Sequence, residues 1–280
     1  MTVARQSLGE ALNFIVTNRL PRRLATRFVG RISKSRAWPV APASLALWKF
    51  FCGVDLRDAE RTEFASLHDG FTRALVPGAR PFDPDPAILC APCDAIVGAC
   101  GPIAGDEVLQ VKGMPYSLSE LAGADAVASM QGGTYITMRL TAAMYHRFHA
   151  PADMMVERVE HRPGDCWNVN PPALARVKSL YCRNERAIIS ARLPNGDPLV
   201  LIPVAAILVA GIVLKPFGLL RGEGVRDGLS LAARRGEEMG WFEHGSTIIM
   251  LAPPDFALAE NIATGATIRA GQPLLRPKHG

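Results

Sequence analysis

Short β-rich segments, bounded by glycine, proline, asparagine or aspartate, follow one another through most of the chain after residue 60. Such segments are typical of strands joined by turns, and the 25 glycines and 22 prolines also favour many turns over long helices. The sequence therefore predicts an α+β fold with a mostly antiparallel β body, sandwich- or barrel-like, and helical pieces at 116–122 and 173–180. The predicted strands are 134–140, 154–159, 187–193, 199–202, 205–214, 246–251 and 267–275.

One uncharged run of 17 residues, 198–214, raises the question of a membrane span. A spanning helix needs about 20 apolar residues, and this run is shorter and contains Pro203 and Gly211. The sequence Pro194-Asn-Gly-Asp197 immediately before it is a turn signal. We therefore predict a hairpin from 187–193 into a buried strand, followed by a second buried strand, rather than a helix that crosses a membrane.

Positive charge is concentrated at the N-terminus. Residues 1–36 carry eight arginines and lysines against one glutamate, whereas the whole chain has a formal net charge of +5. Hydrophobic residues recur every four positions in 20–32, and a short apolar helical stretch follows at 44–52 and is predicted to end at Gly53. Basic, aromatic-bearing helices of this kind suit a membrane interface. The alternative is that they pack on the body with solvated arginines.

These patterns divide the chain into a basic amphipathic helical arm, 1–57, and a β-rich domain, 58–280. No secretory signal is recognised at the start, and six cysteines are too few for a disulfide scaffold, so we expect a reducing compartment. The basic arm has no accompanying nucleic-acid-binding motif, which argues against a nucleic-acid partner.

The inventory of reactive side chains is small. His146 and His149 lie three residues apart, but the further ligands that a metal site needs are not evident. Cys90-Ala-Pro-Cys93 lacks a second cysteine pair, so we interpret the cysteines as buried structural thiols and predict no metal. The glycine motifs of dinucleotide-binding, P-loop and hydrolase proteins are also missing from the sequence.

Eight short stretches distributed along the chain are together more informative than any one motif. They are Pro77-Gly-Ala-Arg-Pro81, Pro92-Cys-Asp-Ala95, Lys112-Gly-Met-Pro-Tyr-Ser-Leu118, Tyr145-His-Arg-Phe-His-Ala-Pro151, Arg183-Asn-Glu-Arg186, Gly236-Glu-Glu-Met-Gly240, Gly245-Ser-Thr247 and Gly271-Gln-Pro-Leu274. In their order and spacing, the chain resembles the phosphatidylserine decarboxylase proenzymes from its basic N-terminus to its last predicted strand.

The resemblance implies an enzyme that makes its own cofactor. Ser246 would attack the carbonyl of Gly245, and the chain would be cut between them into chains 1–245 and 246–280, which stay together. Ser246 would become a covalent pyruvoyl group, which replaces pyridoxal phosphate as the electron sink and requires no metal. Through a Schiff base with this group, phosphatidylserine would be converted to phosphatidylethanolamine and CO2.

The resemblance also implies roles for three further residues. His149 would be the base for self-cleavage, Asp94 the carboxylate that orients it, and His146 the general acid in decarboxylation. Two positions depart from the family pattern: His244 precedes the Gly-Ser step, and Cys93 stands before the aspartate. A histidine beside the scissile bond could alter the cleavage rate or compete as base, but we still expect processing.

The implied partners are phosphatidylserine in an anionic membrane and a second copy of the chain in a homodimer. We accordingly expect a peripheral protein at the cytoplasmic face of the cell membrane. Two alternatives remain open: the same chemistry on another seryl phospholipid or a soluble seryl compound, or a membrane-associated non-enzyme that never cleaves.

Overall fold

The computed structural model describes residues 29–111, 114–206, 211–243 and 246–278. Within this part of the chain, residues 29–34 are helical. The helices that follow are α1 (Val40–Cys52), α2 (Leu67–Phe71), α3 (Leu118–Ala122), α4 (Ala124–Ser129), α5 (Pro171–Leu174) and α6 (Leu180–Arg183).

The strands are short and numerous. They are β1 (Leu89–Cys90), β2 (Ala95–Pro102), β3 (Glu107–Val111), β4 (Met114–Ser117), β5 (Thr134–Leu140), β6 (Arg147–His149), β7 (Met154–Arg162), β8 (Arg186–Arg192), β9 (Pro198–Ala205), β10 (Ile212–Leu214), β11 (Gly218–Leu219), β12 (Gly224–Arg226), β13 (Leu231–Ala233), β14 (Glu238–Phe242), β15 (Ser246–Ala252), β16 (Phe256–Leu258), β17 (Thr267–Ile268) and β18 (Pro273–Pro277).

A nine-stranded antiparallel sheet forms the centre of the molecule, in the order β12-β7-β8-β9-β15-β5-β2-β17, with β13 also pairing with β7. Smaller antiparallel sheets have the orders β11-β10-β14-β6, β1-β18-β16 and β3-β4. The predicted mostly antiparallel α+β fold is therefore confirmed. As described, the large sheet ends at β12 and β17 and does not close on itself, so the barrel-like form of that prediction is not observed.

The central strand β15 is buried along its whole length because both faces of the sheet are covered. Side chains alternate between faces along a strand. Accordingly, Ile248 and Met250 belong to one hydrophobic core, which includes residues of the smaller sheets, whereas Ile249 and Leu251 belong to a second core together with residues of the short helices. This double burial explains why the segment carries no charge.

Several predicted elements are confirmed, and others are wrong in extent. Strand 134–140 matches β5, and the hairpin from 187–193 forms β8 and β9 around a turn in which Gly196 has a positive φ of 90°. The prediction of a second buried strand over 205–214 is wrong in extent, except over 207–210, which lie outside the described residues and where it stays a prediction. The observed strand β9 continues to Ala205, and β10 is confined to three residues.

The remaining differences arise from local turns and caps. The strand predicted over 267–275 is interrupted at Gly271, whose φ of 88° favours glycine, and becomes β17 and β18. The helix predicted from residue 116 begins at Leu118, because the Ser117 side chain accepts a hydrogen bond from the Glu120 N–H and caps it. The helix predicted over 173–180 is two short helices, α5 and α6.

Part of the predicted arm lies within the described residues. The apolar stretch 44–52 falls in α1, which ends at Gly53 in the left-handed conformation, as predicted. The helices expected within 1–28 lie outside the described residues. Among the described helices, none combines the length and the apolar character needed to cross a membrane.

Candidate active site

Ser246 is the first residue of β15 and lies in the middle of the nine-stranded sheet. Its register partners are Leu140 at the end of β5 and Ala205 at the end of β9. The side chain is fully buried, and its Oγ makes no hydrogen bond with the described residues. Most buried hydroxyl groups are hydrogen-bonded, so this one is a candidate for chemistry. His244 and Gly245, which precede it at the predicted cleavage site, lie outside the described residues.

Strand β6 carries the two candidate histidines alongside the strand that leads to Ser246. The Phe242 N–H at the end of β14 donates to the His146 carbonyl oxygen at 3.1 Å, four residues before Ser246. At the opposite end of the ladder, Glu238 is the register partner of His149. The antiparallel pairing therefore places His146 nearer than His149 to the predicted cleavage site, measured along β14.

His146 is fully buried, and its two ring nitrogens differ in their contacts. Its Nδ1 lies 2.8 Å from the Met144 carbonyl oxygen, whereas Nε2 makes no hydrogen bond with the described residues. Burial lowers the pKa of His146 to about 4, so the ring is neutral near pH 7. Because a carbonyl oxygen only accepts, the proton is assigned to Nδ1, and Nε2 keeps a free lone pair.

His149 has partners on both ring nitrogens. Its Nδ1 lies 2.9 Å from the Gly236 carbonyl oxygen, and its Nε2 lies 3.1 Å from the Tyr145 hydroxyl. The same argument assigns the proton to Nδ1, so Nε2 accepts from Tyr145. The ring also packs against Tyr145 and Phe82. Burial lowers the pKa of His149, so this ring too is neutral near pH 7.

Asp94 is buried and is held by charge-assisted hydrogen bonds. The Arg80 Nε and Nη2 donate to its carboxylate at 2.8 and 2.7 Å, and the Ala270 N–H donates at 2.9 Å. A second carboxylate, Asp58, accepts from Arg80 Nη1 at 2.8 Å. Hydrogen bonding to Asp94 raises the pKa of Arg80, so this guanidinium stays charged.

The three predicted residues are neighbours, but the direct contact implied between two of them is not among the described hydrogen bonds. Asp94 bonds Arg80 and Ala270, whereas His149 bonds Gly236 and Tyr145 through its side chain. Burial is the largest effect on the pKa of both histidines and lowers it, whereas the negative charge of Asp94 is a smaller effect that opposes the lowering.

The loop from β5 to β6, which presents His146, is fixed from the side of α1 and α2. The Trp48 Nε1 donates to the Ala142 carbonyl at 2.8 Å, and the Arg73 Nη2 donates to the Ala143 carbonyl at 3.0 Å. Arg73 lies over the Trp48 ring at 5.7 Å, and Phe71 packs against the His146 ring. The arm thus contacts the segment that carries a candidate catalytic histidine.

Sequence reasoning missed Arg80 and Tyr145 as members of this site. Both lie in stretches that resemble the family, because Arg80 belongs to Pro77-Gly-Ala-Arg-Pro81 and Tyr145 precedes the first histidine of its stretch. Their position in these stretches could have identified Arg80 and Tyr145 as candidate site residues. Their partners, Asp94 and His149, are set by tertiary contacts that local spacing does not reveal.

Four of the six cysteines are buried, and burial raises the pKa of Cys93 well above its ordinary value. Within the ranges that the structure describes, no cluster of three or more histidine, cysteine or acidic side chains is arranged to hold a metal ion. The buried thiols are Cys90, Cys93, Cys166 and Cys182.

Comparison with known proteins gives one consistent result. The family model described as phosphatidylserine decarboxylase matches residues 67–276. A phosphatidylserine decarboxylase proenzyme from Acidovorax ebreus is 36% identical over 84% of this chain and 86% of its own length. Proteins of the same name from Halorhodospira halophila and a Polaromonas species are 34% and 37% identical, over 98% and 88% of this chain and 97% and 93% of their own lengths.

Proposed function

This chain belongs to the phosphatidylserine decarboxylase family, and from that membership we propose that it is a self-processing carboxy-lyase that converts phosphatidylserine to phosphatidylethanolamine and CO2. The observation that carries the proposal is the buried hydroxyl of Ser246 at the start of the central strand, which makes no hydrogen bond among the described residues. It lies within the matched region, as do the buried His146 and the partly buried His149.

The self-cleavage that we propose uses only this chain and water. Ser246 Oγ attacks the Gly245 carbonyl carbon and the peptide C–N bond breaks, so that the amide becomes an ester. Loss of the Ser246 Cα proton and cleavage of its Cβ–O bond then release chain 1–245 with a terminal carboxylate. The dehydroalanine left at position 246 takes up water and loses ammonia, which leaves a pyruvoyl group at the start of chain 246–280.

Position 246 suits such a group because it is buried between β5 and β9 and its own side chain makes no competing hydrogen bond with the described residues. A pyruvoyl group supplies a ketone that reacts with the substrate amine and accepts the electron pair left when CO2 departs. The short chain contributes β15, β17 and β18, which pair with β9, β5, β2 and β1. This pairing supports two chains that remain together after the cut.

We assign the base for self-cleavage to His149. A serine hydroxyl is a weak nucleophile unless a nearby base removes its proton. The hydrogen bond from Nδ1 to the Gly236 carbonyl leaves Nε2 as the basic atom. The Tyr145 hydroxyl must leave Nε2 before that atom takes the Ser246 proton. Asp94 supports the role through its negative charge, which favours the protonated ring.

We assign proton transfer during decarboxylation to His146. The substrate ammonium must lose a proton before its nitrogen can react, and a neutral His146 takes that proton at its free Nε2. The same atom then returns a proton to the substrate carbon that has lost its carboxylate. The lowered pKa supports this order, because the ring must accept a proton before it can act as an acid.

We propose that the arm, 1–57, holds the catalytic domain, 58–280, on an anionic membrane at its cytoplasmic face. The support is a group of exposed large apolar side chains on and next to α1. They are Trp38 (86% exposed), Leu47 (57%), Phe50 (81%) and Phe51 (75%). Such side chains, close to basic residues, suit the boundary between headgroups and acyl chains. A homodimer completes the proposal, by family membership.

Intact-mass analysis of the purified protein tests the function. The wild type is expected as two chains, the short one blocked at its N-terminus, and Ser246→Ala as one uncut, inactive chain. His149→Ala and Asp94→Asn should cut more slowly, by about 100-fold for the histidine. His146→Ala should cut normally and lose about 100-fold or more in CO2 release.

The matched control is Ser129→Ala, which removes an exposed hydroxyl from α4 and should cut and turn over normally. CO2 release from phosphatidylserine is compared with release from other seryl lipids and from soluble serine derivatives. An uncut wild-type chain with Ser246 retained would contradict the proposal, as would full activity in Ser246→Ala.

A further inference from the structure

An ion pair joins the arm to the segment just before the predicted cleavage site. The Lys34 Nζ lies 2.9 Å from both carboxylate oxygens of Glu243, although the two residues are 209 positions apart. The Glu243 side chain is 11% exposed and that of Lys34 is 45% exposed. A largely buried carboxylate therefore obtains its counter-charge from the helical segment 29–34.

A histidine lies beside the same carboxylate. The His68 Nε2 is 3.9 Å from Glu243 Oε1. Burial lowers the pKa of His68, with the charge of Glu243 opposing this effect. Near pH 7 the positive charge facing Glu243 from these two residues therefore comes mainly from Lys34.

The backbone on either side of Glu243 is also fixed. Its N–H donates to the Gly211 carbonyl at 3.1 Å, and the preceding Phe242 N–H donates to the His146 carbonyl at 3.1 Å. A Cβ added at Gly211 would come within 3.2 Å of the Glu243 side chain, so that side chain has little room to move. Residues 244 and 245 lie outside the described residues. Ser246, which follows them, is held between β5 and β9.

These contacts fix the chain on both sides of the Gly245–Ser246 peptide bond. Attack by Ser246 Oγ on the Gly245 carbonyl requires the two atoms to be held close together and correctly oriented, and such orientation contributes strongly to rate. The sheet fixes the serine from the downstream side. Glu243 is the last described residue upstream, and its side chain is tied to the arm by Lys34.

We propose that Glu243, held by Lys34, is a positioning residue for self-cleavage, so that docking of the arm on the body aligns the peptide bond that is cut. The inference rests on the proposed self-cleavage at Gly245–Ser246. It assigns to the arm a role in processing that is separate from membrane attachment. Once the chain is cut, the same ion pair holds Glu243, two residues before the end of the long chain.

A time course of cleavage during cell-free synthesis without lipid tests this role, with the cut fraction followed by mass. Lys34→Met and Glu243→Gln are each expected to slow cutting about fivefold or more. The reversed pair, Lys34→Glu with Glu243→Lys, should recover most of the rate. Thermal unfolding of each variant in a Ser246→Ala background checks that the fold persists, and Lys34→Met, at a half-exposed position, should unfold within a few degrees of the parent.

The matched control is Glu157→Gln, which breaks an exposed ion pair with Arg192 between β7 and β8 and should cut at the wild-type rate. Wild-type rates in both single variants would overturn the inference and leave the proposed function intact. Slow cutting in both singles without recovery in the reversed pair would also overturn it. A wild-type chain that is never cut would instead refute the proposed function itself.

Discussion

At the scale of single residues, the two neighbouring histidines differ in the contacts that their Nε2 atoms make. The His146 Nε2 is buried without a hydrogen bond among the described residues, whereas the His149 Nε2 accepts from Tyr145. The sequence spacing identified His146 and His149 as a pair of candidates, but it could not assign the contacts of their ring nitrogens. The lowered pKa of His146 follows from the complete burial of its ring, which disfavours the charged form.

The burial of His146 predicts a loss of stability in acid. Its pKa is about 4 in the folded chain and roughly 6.5 when unfolded, so the unfolded chain binds the proton first as pH falls. This contribution is present above pH 6.5 and is lost progressively towards pH 4. Between pH 7 and pH 5, the free energy of unfolding should fall by about 2 kcal/mol from this residue alone.

Urea titrations at pH 7 and pH 5 in a Ser246→Ala background measure this effect on a single, uncut chain. His146→Gln should remove about 2 kcal/mol of the difference between the two pH values. An equally steep pH dependence in His146→Gln would show that other groups cause the acid sensitivity.

At the scale of elements, the pairing of β6 with β14 organises the candidate site. It sets the positions of both histidines along β14, relative to the segment that ends at Glu243. Strand β14 was not predicted, because Gly236-Glu-Glu-Met-Gly240 lacks the β-rich character that marks the other strands. A glycine inside a strand often marks a close approach of another backbone, and Gly240 is such a case.

Gly240→Ala is predicted to displace β14. The added Cβ would overlap the Val213 carbonyl and lie 3.1 Å from the Phe148 ring, so neighbouring backbone must shift. We expect a loss of about 2 kcal/mol in the free energy of unfolding and slower self-cleavage. Denaturant titration and intact mass measure the two effects.

The matched control for this substitution is Gly224→Ala in the edge strand β12, where an added Cβ meets no atom within 4 Å. It should change stability by less than about 0.5 kcal/mol and leave cleavage unaltered. Equal effects of the two substitutions would show that close packing at Gly240 is not what positions β14.

At the scale of the whole molecule, the arm contacts the body on one side and exposes apolar side chains on another. Trp48 is buried and bonds the loop that carries His146, whereas Phe50 and Phe51 on the same helix are largely exposed. Lys34 provides a second attachment, to Glu243. The surface that we propose to bind a membrane is therefore joined, through a few contacts, to the segments where the chemistry is proposed.

Exchange of the exposed aromatics of α1 is predicted to weaken membrane binding without unfolding the protein. Phe50→Ser with Phe51→Ser should lower affinity for anionic vesicles by about tenfold or more, because two large apolar groups no longer enter the interface. Cosedimentation with vesicles measures this. Val225→Ser, which removes an exposed apolar side chain from β12, is the control. Unchanged vesicle affinity in the double variant would contradict the docking surface.

The sequence by itself determined the family, the residue types of the site and the strands with strong β character, since these depend on motif order and local composition. It also identified α1 and its glycine stop. The tertiary structure alone decided that Asp94 is held by Arg80, that the Nε2 atoms of the two histidines differ in their contacts, and that Lys34 reaches Glu243. The reason is physical: burial and ion pairing depend on segments far apart in the chain, whereas sequence patterns report mainly on neighbours.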